Sequence, residues 1–292
     1  MKRTVDTEKL IRIALEEDGA ARDVTTLSLV DPAARVTADI IARHPCRIAG
    51  ADVAAQVFTT LDAVLTVKIV IPDGADAAAD EVVLTVTGTA ASILSAERVA
   101  LNFMQRMTGI ATVTKAYVAA VAGTKCVILD TRKTLPGFRA LDKYAVKCGG
   151  GTNHRMGLSD MALIKDNHRK LWRTCRYSDG QSGDRATLDF AVAETRRKLP
   201  GIPVEVEVET KEELISALAA VPPPEWIMLD NMTPAQMRES VALVAGRCKI
   251  EASGGINAAT VREVAETGVD AISIGALTHS VKAADLSLEI RE

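Results

Sequence analysis

The residues whose types could do chemistry together concentrate between positions 130 and 168. Five of them are cationic or can become so, and these are Arg132, Lys133, His154, Arg155 and Lys165. From position 125 to 176 the chain has twelve Lys/Arg against four Asp/Glu, a local charge of about +8 in a chain of net charge −3. Such a local excess predicts a site for a small, multiply anionic ligand. A basic surface helix is the alternative interpretation.

Carboxylates and histidines elsewhere form a second set of candidate residues. Glu207 and Asp230 lie at or near the ends of neighbouring apolar runs, where two carboxylates suit Mg²⁺ or the hydroxyls of a ribose. An aspartate in such a place is also a common helix cap, which is the alternative for Asp230. Three of the four histidines, His154, His168 and His279, lie in the loops that carry the candidate residues, whereas His44 lies elsewhere. His154 and His279 are therefore interpreted as ligands.

Two glycine turns predict a phosphate site. The run EASGGI contains Ser253 and Gly254 and precedes a helix predicted from about Ala258, and the next run ends in SIGALTHS with Gly275 and His279. Backbone N–H groups at such turns, and at a helix N-terminus, bind oxyanions. The alternative is that the glycines serve only tight turns.

The residues before position 125 predict an α+β region with a largely antiparallel sheet. An amphipathic helix at Thr7–Glu17 comes first, and a helix from about Asp52 to Leu61 follows the first strand. A long helical pattern from Ser95 to Val121 is interrupted near Gly109 and contains the predicted domain boundary. The strand-like runs are Val36–Ala42, Val64–Ile71 and Val82–Thr87.

From position 125 onward, short apolar runs alternate with helical patterns, which predicts β-α units and a parallel sheet. The runs are Cys126–Leu129, Met161–Ile164, Val204–Val208, Ile227–Leu229, Ile250–Ala252 and Ala271–Ile274. The last four start roughly 22 or 23 residues apart. Because polar residues follow nearly every run and no GxGxxG fingerprint is present, a barrel is favoured over a doubly wound sheet.

The alternating run VEVEVE, residues 204–209, supports the barrel. Alternation places three valines on one face of the strand and Glu205, Glu207 and Glu209 on the other. In a barrel the valines pack under the helices and the glutamates face the interior, where lysines and arginines of the basic segment neutralise them. An exposed edge strand of an open sheet is the alternative.

Composition narrows the class of protein. The chain has 292 residues, 48% of them hydrophobic, and a pI of about 5.9, which argues against a general nucleic-acid or membrane-binding surface. No apolar run approaches the roughly 20 residues of a membrane span, and the first residues lack the apolar core of a signal peptide. Five cysteines without CxxC spacing predict reduced thiols in a cytoplasm.

Several runs resemble the quinolinate phosphoribosyltransferase family, in order from about Glu16 to Leu288 and beginning with EDGAARDVTT. The longest are AERVALNFMQRMTGIAT, LDTRKTLPGFRALDKYAVKCGGGTNHRMGLSD and TGVDAISIGALTHS, and the shorter ones are LIKDNH, VEVEVET, IMLDNM and EASGGI. The resemblance implies transfer of the phosphoribosyl group from phosphoribosyl pyrophosphate to quinolinate with Mg²⁺. The products are nicotinate mononucleotide, CO₂ and pyrophosphate, in NAD synthesis.

The resemblance also implies an architecture. An N-terminal α+β sandwich domain, residues 1–112, is expected before an incomplete α/β barrel of the type II phosphoribosyltransferase kind, residues 113–276. The tail, residues 277–292, is expected to return to the first domain. Two subunits are expected to pair head to tail, in a homodimer or a hexamer, so that the partner completes each site.

Carried over residue by residue, the resemblance places the carboxylates of quinolinate against Arg132, His154 and Arg155. Lys165 is expected nearby, and Arg98 is expected to come from the other subunit. Arginine suits a planar dicarboxylate because its guanidinium makes paired hydrogen bonds.

The same comparison assigns residues to phosphoribosyl pyrophosphate and Mg²⁺. Lys133 and Lys165 are expected at the pyrophosphate, whereas Glu207 and Asp230 are expected to hold ribose hydroxyls and Mg²⁺, directly or through water. The residues expected at the 5-phosphate are Ser253, Gly254, Gly275 and His279.

One stretch departs from the family, and three other functions compete. After KDNH, residues 169–185 read RKLWRTCRYSDGQSGDR, a longer and more polar connection interpreted as inert surface, a lid or a partner contact.

The competing functions are a nicotinate-using or molybdenum-gene-associated relative, an aldolase that forms a Schiff base at Lys165, and an anion- or RNA-binding protein. The DTRKT and NHR clusters favour quinolinate.

Overall fold

The structure is a computed structural model that describes residues 7–174 and 187–291. Within these limits the chain forms two compact units. The first unit comprises residues up to 116, together with 133–151 and the residues from 275 onward, and the second comprises 117–132 and 152–274. The predicted domain limits at 112/113 and 276/277 stay predictions.

The elements up to residue 120 alternate short helices and strands before one long helix. They are α1 (Thr7–Glu17), a 3₁₀ turn (Ala20–Arg22), α2 (Val24–Leu29), β1 (Arg35–Ala42), β2 (Cys46–Arg47), α3 (Ala51–Leu61), β3 (Thr66–Ile69), β4 (Asp76–Ala77), β5 (Val82–Thr89) and α4 (Ala90–Ala120).

The later elements are mostly β-α units. They are β6 (Val127–Leu129), α5 (Arg139–Cys148), β7 (Ala162–Ile164), α6 (Asp166–Thr174), α7 (Leu188–Lys198), β8 (Val204–Val208), α8 (Lys211–Leu218), β9 (Trp226–Asp230), α9 (Pro234–Val244), β10 (Lys249–Ser253), α10 (Val261–Ala265), β11 (Ala271–Ser273), α11 (Ala276–His279) and β12 (Leu286–Ile290).

The sheet of the first unit is antiparallel, with strand order β12-β1-β5-β3. The predicted α+β region before residue 125 is therefore confirmed, and its helix at Thr7–Glu17 has the predicted bounds. Strand β1 pairs with β12 in the register Ala38↔Ile290 to Ala42↔Leu286. This pairing places residues that follow the whole second unit in sequence at the edge of the first unit's sheet.

Helix α4 is continuous, so the predicted start at Ser95 and the predicted interruption near Gly109 are wrong. A glycine weakens a helix, which is why the sequence suggested a break. Gly109 instead lies where another segment approaches the helix, because an added Cβ would overlap the carbonyl oxygen of Lys282 and lie 3.2 Å from the Cα of Ala283. Glycine is needed here for close backbone approach.

The second unit holds a six-stranded parallel sheet with order β6-β11-β10-β9-β8-β7. From β7 to β11 each strand pairs with the next in sequence, and β6 closes onto β11. In the described residues β6 and β7 do not pair, and β6 makes an isolated bridge from Leu129 to Thr152 instead. The predicted incomplete α/β barrel is therefore confirmed.

Local details of the second unit differ from the sequence pattern. Glu209 does not face the interior: β8 ends at Val208, and the exposed Glu209 donates its N–H to the Glu213 carboxylate at the start of α8. Residues 169–174, the start of the polar connection, belong to α6. The rest of the polar connection, residues 175–186, lies outside the described residues.

The helix predicted from about Ala258 begins at Val261 and has five residues. The reason is a turn made by Asn257, whose Oδ1 accepts the N–H of Ala259 at 2.9 Å and whose carbonyl oxygen accepts the N–H of Thr260 at 3.1 Å. The glycine turn after β10 is therefore not followed at once by a helix N-terminus.

Replacing Gly109 by alanine should destabilise the protein. Alanine gains about 1 kcal/mol of helix propensity, but its methyl group must displace the backbone at Lys282, and such overpacking costs roughly 1–3 kcal/mol or more. Urea denaturation should show a lower free energy of unfolding for Gly109→Ala. Gly157→Ala is the matched control, since no atom lies within 4 Å of its added Cβ; equal losses in both variants would contradict the steric account.

The link between β1 and the last described residue predicts a pH-dependent stability. Arg291 donates to Asp39 from Nε at 2.7 Å and from Nη2 at 2.8 Å. These hydrogen bonds hold the pKa of Asp39 below its usual value of 3.8, although its burial opposes them. Because the folded-state pKa is lowered, the stabilisation is complete above the unfolded-state pKa and is lost as pH falls through the folded one.

Arg291→Ala should therefore lower the free energy of unfolding at pH 7. The difference from the unmodified chain should shrink below about pH 4, where Asp39 takes up a proton. Urea titrations at pH 7 and pH 3 measure it. Arg238→Ala, which removes an exposed ion pair to Glu263 at 3.8 Å, is the control and should change little at either pH. A pH-independent loss for Arg291→Ala would contradict the assignment to Asp39.

Candidate functional site

Polar residues of the second unit gather at the carboxyl ends of its parallel strands. Asp230 ends β9 and lies level with Ser253 at the end of β10. Glu207 lies near the end of β8, opposite Met228 of β9. The Asp230 side chain does not cap α9, because that helix is capped by Thr233 in a capping box with Gln236. The helix-cap alternative for Asp230 is therefore excluded.

Glu207 is buried and forms an ion pair with Lys165, which follows β7. The Lys165 backbone N–H donates to Nδ1 of His168 at 3.0 Å, which fixes the start of α6. An ammonium group bound to a buried carboxylate lacks the free amine lone pair that Schiff-base formation needs. The geometry therefore disfavours the aldolase alternative at Lys165.

Arg132 and Arg155 bring two guanidinium groups into the same region. Burial, followed by the positive charge of Arg132, lowers the pKa of Arg155. The Nε of Arg132 is buried and has no hydrogen-bond partner among the described residues, while Nη1 of Arg155 donates to the Met161 carbonyl at 2.8 Å. Two cations near each other, one with a buried donor unused, form a pocket suited to a carboxylate or phosphate.

Asp130 holds the segment that carries Arg155. Its fully buried carboxylate, directly after β6, accepts the His154 N–H at 2.9 Å and the Asn153 side-chain amide at 2.5 Å. Asp130 was not among the predicted site residues, although it belongs to the DTRKT run. Its position at a strand end, before two cations, was the signal that could have identified it.

His154 lies inside the barrel between two glutamates. Its Nε2 is 3.1 Å from Oε2 of Glu205 and 3.3 Å from Oε2 of Glu251. Burial lowers the pKa of His154, but the two carboxylates outweigh it and raise the pKa to about 9. Burial, and then the charge of Glu251, raises the pKa of Glu205. The partner of Glu205 is therefore His154, not a lysine or arginine as expected.

The geometry of the ring opposes a second proton on His154. Its Nδ1 accepts the backbone N–H of Arg155 at 2.8 Å, and a protonated Nδ1 would place two donors against each other. In this arrangement the ring proton is on Nε2, facing Glu205 and Glu251. Because Nδ1 is already an acceptor, we favour the neutral ring, although the two carboxylates raise the pKa of His154.

The turn after β10 needs glycine for structural reasons. Gly254 and Gly255 have φ of 92° and 62°, which ordinary side chains rarely adopt. A Cβ on Gly254 would also overlap Asn231, the residue that follows Asp230. The tight-turn alternative is thus supported for these two glycines, and a phosphate role for Ser253 and Gly254 stays a prediction.

Four predicted site residues lie in the first unit. Thr278 of α11 donates its hydroxyl to the Lys133 carbonyl at 2.8 Å, which joins the two segments that carry Lys133 and His279. An added Cβ on Gly275 would lie 3.0 Å from the His279 ring and 3.1 Å from the Lys133 side chain. These three residues are therefore neighbours. Arg98 lies on α4 with its side chain 56% exposed.

Sequence reasoning missed the support of this group. Arg106 of α4 donates to the fully buried Asp142 from Nε at 2.9 Å and Nη2 at 2.8 Å, and also to the Thr278 carbonyl at 3.0 Å. The bidentate pair fixes α11 against α4 and α5. Nothing in the local pattern indicated it, because its three members, Arg106, Asp142 and Thr278, are far apart in sequence.

The basic segment is not one exposed surface. Lys143 is 1% exposed and Arg169 is 9% exposed, with Arg169 paired to Glu213. The alternative of a basic surface helix, and with it the RNA-binding function, is therefore disfavoured. None of the described helices is long and apolar enough to cross a membrane.

Fold and site together define the class. The second unit is an incomplete α/β barrel with cations and carboxylates at its strand ends, an arrangement suited to an anionic substrate. The family model for the quinolinate phosphoribosyl transferase N-terminal domain matches residues 23–108, and the model for the C-terminal domain matches residues 110–289. The chain belongs to this family.

Individual relatives match along nearly the whole chain. The nicotinate-nucleotide pyrophosphorylase [carboxylating] of Mycobacterium leprae is 42% identical, over 96% of this chain and 95% of that protein. The quinolinate phosphoribosyltransferase [decarboxylating] 1 of Nicotiana glauca is 40% identical, over 98% and 83%. The solved nicotinate-nucleotide pyrophosphorylase of Francisella tularensis has 36% identity and a TM-score of 0.89, covering 100% of this chain and 98% of that one.

Proposed function

We propose that this chain transfers the phosphoribosyl group of phosphoribosyl pyrophosphate to quinolinate and releases pyrophosphate and CO₂. The product is nicotinate mononucleotide, a precursor in NAD synthesis. Family membership supports the reaction. The observation that carries it is the guanidinium pair of Arg132 and Arg155, since a planar dicarboxylate offers two anions to two such groups.

In this proposal Arg132 and Arg155 bind the carboxylates of quinolinate, and His154 belongs to the same group. The unused Nε of buried Arg132 supports the assignment, because a buried donor without an acceptor is costly until a ligand supplies one. Lys165, half exposed at 42%, extends from the ion pair with Glu207 toward the same strand ends.

The remaining residues bind phosphoribosyl pyrophosphate. Lys133 and Lys165 bind the pyrophosphate, and Glu207 and Asp230 bind the ribose hydroxyls. The neighbouring positions of Lys133, Gly275 and His279 support a shared anionic ligand. The residues assigned to the 5-phosphate are Ser253, Gly254, Gly275 and His279.

Magnesium fits the donors that Glu207 and Asp230 provide. Mg²⁺ prefers oxygen ligands and is usually bound by one or two carboxylates together with substrate phosphates. Glu207 is already paired with Lys165, whereas Asp230 is half-buried and accepts a hydrogen bond from Asn231 at 2.8 Å. Both residues would hold the ion, directly or through water. When bound, Mg²⁺ neutralises charge on the departing pyrophosphate.

The side chains of the protein then stabilise charges that develop during the reaction. Lys133 and Lys165 donate hydrogen bonds to the pyrophosphate as it leaves. Glu207 and Asp230 stabilise the positive charge that develops on the ribosyl carbon, and the ring nitrogen of quinolinate attacks that carbon. When the adjacent carboxylate leaves as CO₂, its bonding electron pair stays on the ring carbon, where the positive ring nitrogen stabilises it. A proton from water then replaces the carboxylate and completes nicotinate mononucleotide. The sequence of steps needs no covalent nucleophile.

Arg132→Ala and Arg155→Ala should each lower kcat/KM for quinolinate by about 100-fold, the equivalent of roughly 2.7 kcal/mol in transition-state binding. The KM for phosphoribosyl pyrophosphate should change little. Release of labelled CO₂ from carboxyl-labelled quinolinate measures the reaction. Arg238→Ala, an exposed arginine of α9, is the control.

The same assay separates the main proposal from its nearest rival. A protein that turns over nicotinate without CO₂ release, or one whose two arginine variants keep the kinetics of the unmodified chain, would contradict the quinolinate assignment. The rival has no need of a second carboxylate site, so it predicts a much smaller effect from the loss of either arginine.

We also propose that the active form is a head-to-tail dimer, alone or within a hexamer, in which Arg98 completes the partner's site. The side chain of Arg98 is exposed and forms a long ion pair with Glu97 at 3.9 Å, which is compatible with such a contact. A cytoplasmic location is proposed with it, on the ground that Cys46, Cys126, Cys148 and Cys248 are free thiols.

Mixed dimers should test the shared site. Arg98→Ala and Arg155→Ala chains with different tags, co-expressed and purified through both tags, should regain about half of the normal activity per dimer. One of the two sites then combines an intact Arg155 with the partner's intact Arg98. Each variant alone should stay nearly inactive. Mixed dimers as inactive as the parent variants would show that Arg98 does not act across the interface.

A further inference from the structure

We propose that Glu205 and Glu251 are positioning residues for quinolinate binding, which they support by fixing the His154 ring and, through it, Arg155. The inference rests on the proposed function, since it assigns an indirect role in binding the same substrate. It gives His154, which the proposed function places with the quinolinate-binding residues, the further role of orienting the arginine beside it.

The two carboxylates converge from strands that are not neighbours. Glu205 lies on β8 and Glu251 on β10, with β9 between them. Both point into the barrel, and their Oε2 atoms reach the same nitrogen of His154, at 3.1 Å and 3.3 Å. Side chains from two separated strands thus define the position of one ring.

The ring uses both nitrogens within the protein. Nε2 faces Glu205 and Glu251, and Nδ1 accepts the N–H of Arg155 at 2.8 Å. Because Nδ1 binds the backbone of Arg155 while Nε2 faces the two carboxylates, fixing the ring also fixes the backbone of Arg155. The guanidinium of Arg155 is then held at its other end by the Met161 carbonyl.

Burial of these two carboxylates lowers the stability of the fold, which a purely structural role would not explain. Glu205 and Glu251 are 0% and 1% exposed, and the Oε1 atom of each is buried without a hydrogen-bond partner among the described residues. Buried carboxylates with unused acceptor atoms destabilise a fold. Apolar residues of similar size would often pack here with equal or better stability. A contribution to substrate binding accounts for what stability does not.

Isosteric variants should separate this role from general damage. Glu251→Gln and Glu205→Gln should raise the KM for quinolinate at least 10-fold and leave the KM for phosphoribosyl pyrophosphate within about twofold. Glu209→Gln is the matched control, because Glu209 continues the same alternation but is exposed beyond the end of β8. Equal effects on both KM values would overturn the proposal.

A double-variant cycle tests whether the glutamates act through Arg155. In the Arg155→Ala background, Glu251→Gln should cause less than a twofold further loss in kcat/KM for quinolinate, because the group that it positions is already gone. A further loss as large as in the unmodified background would sink the idea. An unmodified chain that releases no CO₂ from quinolinate would instead contradict the proposed function itself, so the two failures are distinguishable.

A third measurement reports the protonation of the His154 ring in the unmodified chain. Nitrogen-15 NMR of a histidine-labelled chain, which has four histidines, should show His154 with one protonated and one unprotonated nitrogen, assigned by loss of the signals in His154→Gln. Two protonated nitrogens at neutral pH would overturn the proposal, since Nδ1 could not then accept from Arg155. Stoichiometric zinc that is bound by the purified chain and lost in Glu251→Gln would also overturn it, because the three groups would then be metal ligands.

Discussion

Carboxylates buried inside the parallel sheet are the constraint on which the second unit depends. Glu205, Glu207 and Glu251 lie in the barrel interior with 0%, 6% and 1% exposure, and each needs a hydrogen-bonded partner there. Lys165 must therefore lie at the end of β7, and the His154 ring must enter between β8 and β10. The position of Arg155 follows from that ring. Lys165 and Arg155 are in this sense positioned by carboxylates of the barrel interior.

The sequence predicted the elements of this arrangement better than its pairings. Alternation in VEVEVE identified the inward face of β8, and the spacing of apolar runs predicted the parallel sheet. The predicted partner of Glu205 was wrong, because the alternation of valine and glutamate indicates which way a side chain points but not which group it contacts. That choice depends on the register between β8, β9 and β10 and on the loop at Asp130, which are properties of the folded chain.

Two glycines also show that local sequence does not reveal contacts with residues distant in the chain. Local rules read Gly109 as a helix break, whereas the folded chain uses it to admit the backbone of residues 282–283. The EASGGI turn was recognised, but the close approach of Asn231 to Gly254 was not. In both cases the second partner is distant in sequence, so no window of neighbouring residues contains the information. The charge of the basic segment likewise could not reveal that Lys143 and Arg169 are buried.

The pairing of β12 with β1 has a consequence for how the protein is made. Residues 286–290 complete a sheet whose other strands lie within residues 35–89. The sheet of the first unit can therefore be completed only after the entire second unit has been synthesised. During that interval the edge of β1 is exposed, and an unpaired edge is where a nascent strand can pair with the wrong neighbour. The edge of β1 is therefore covered only after residues 286–290 have been synthesised.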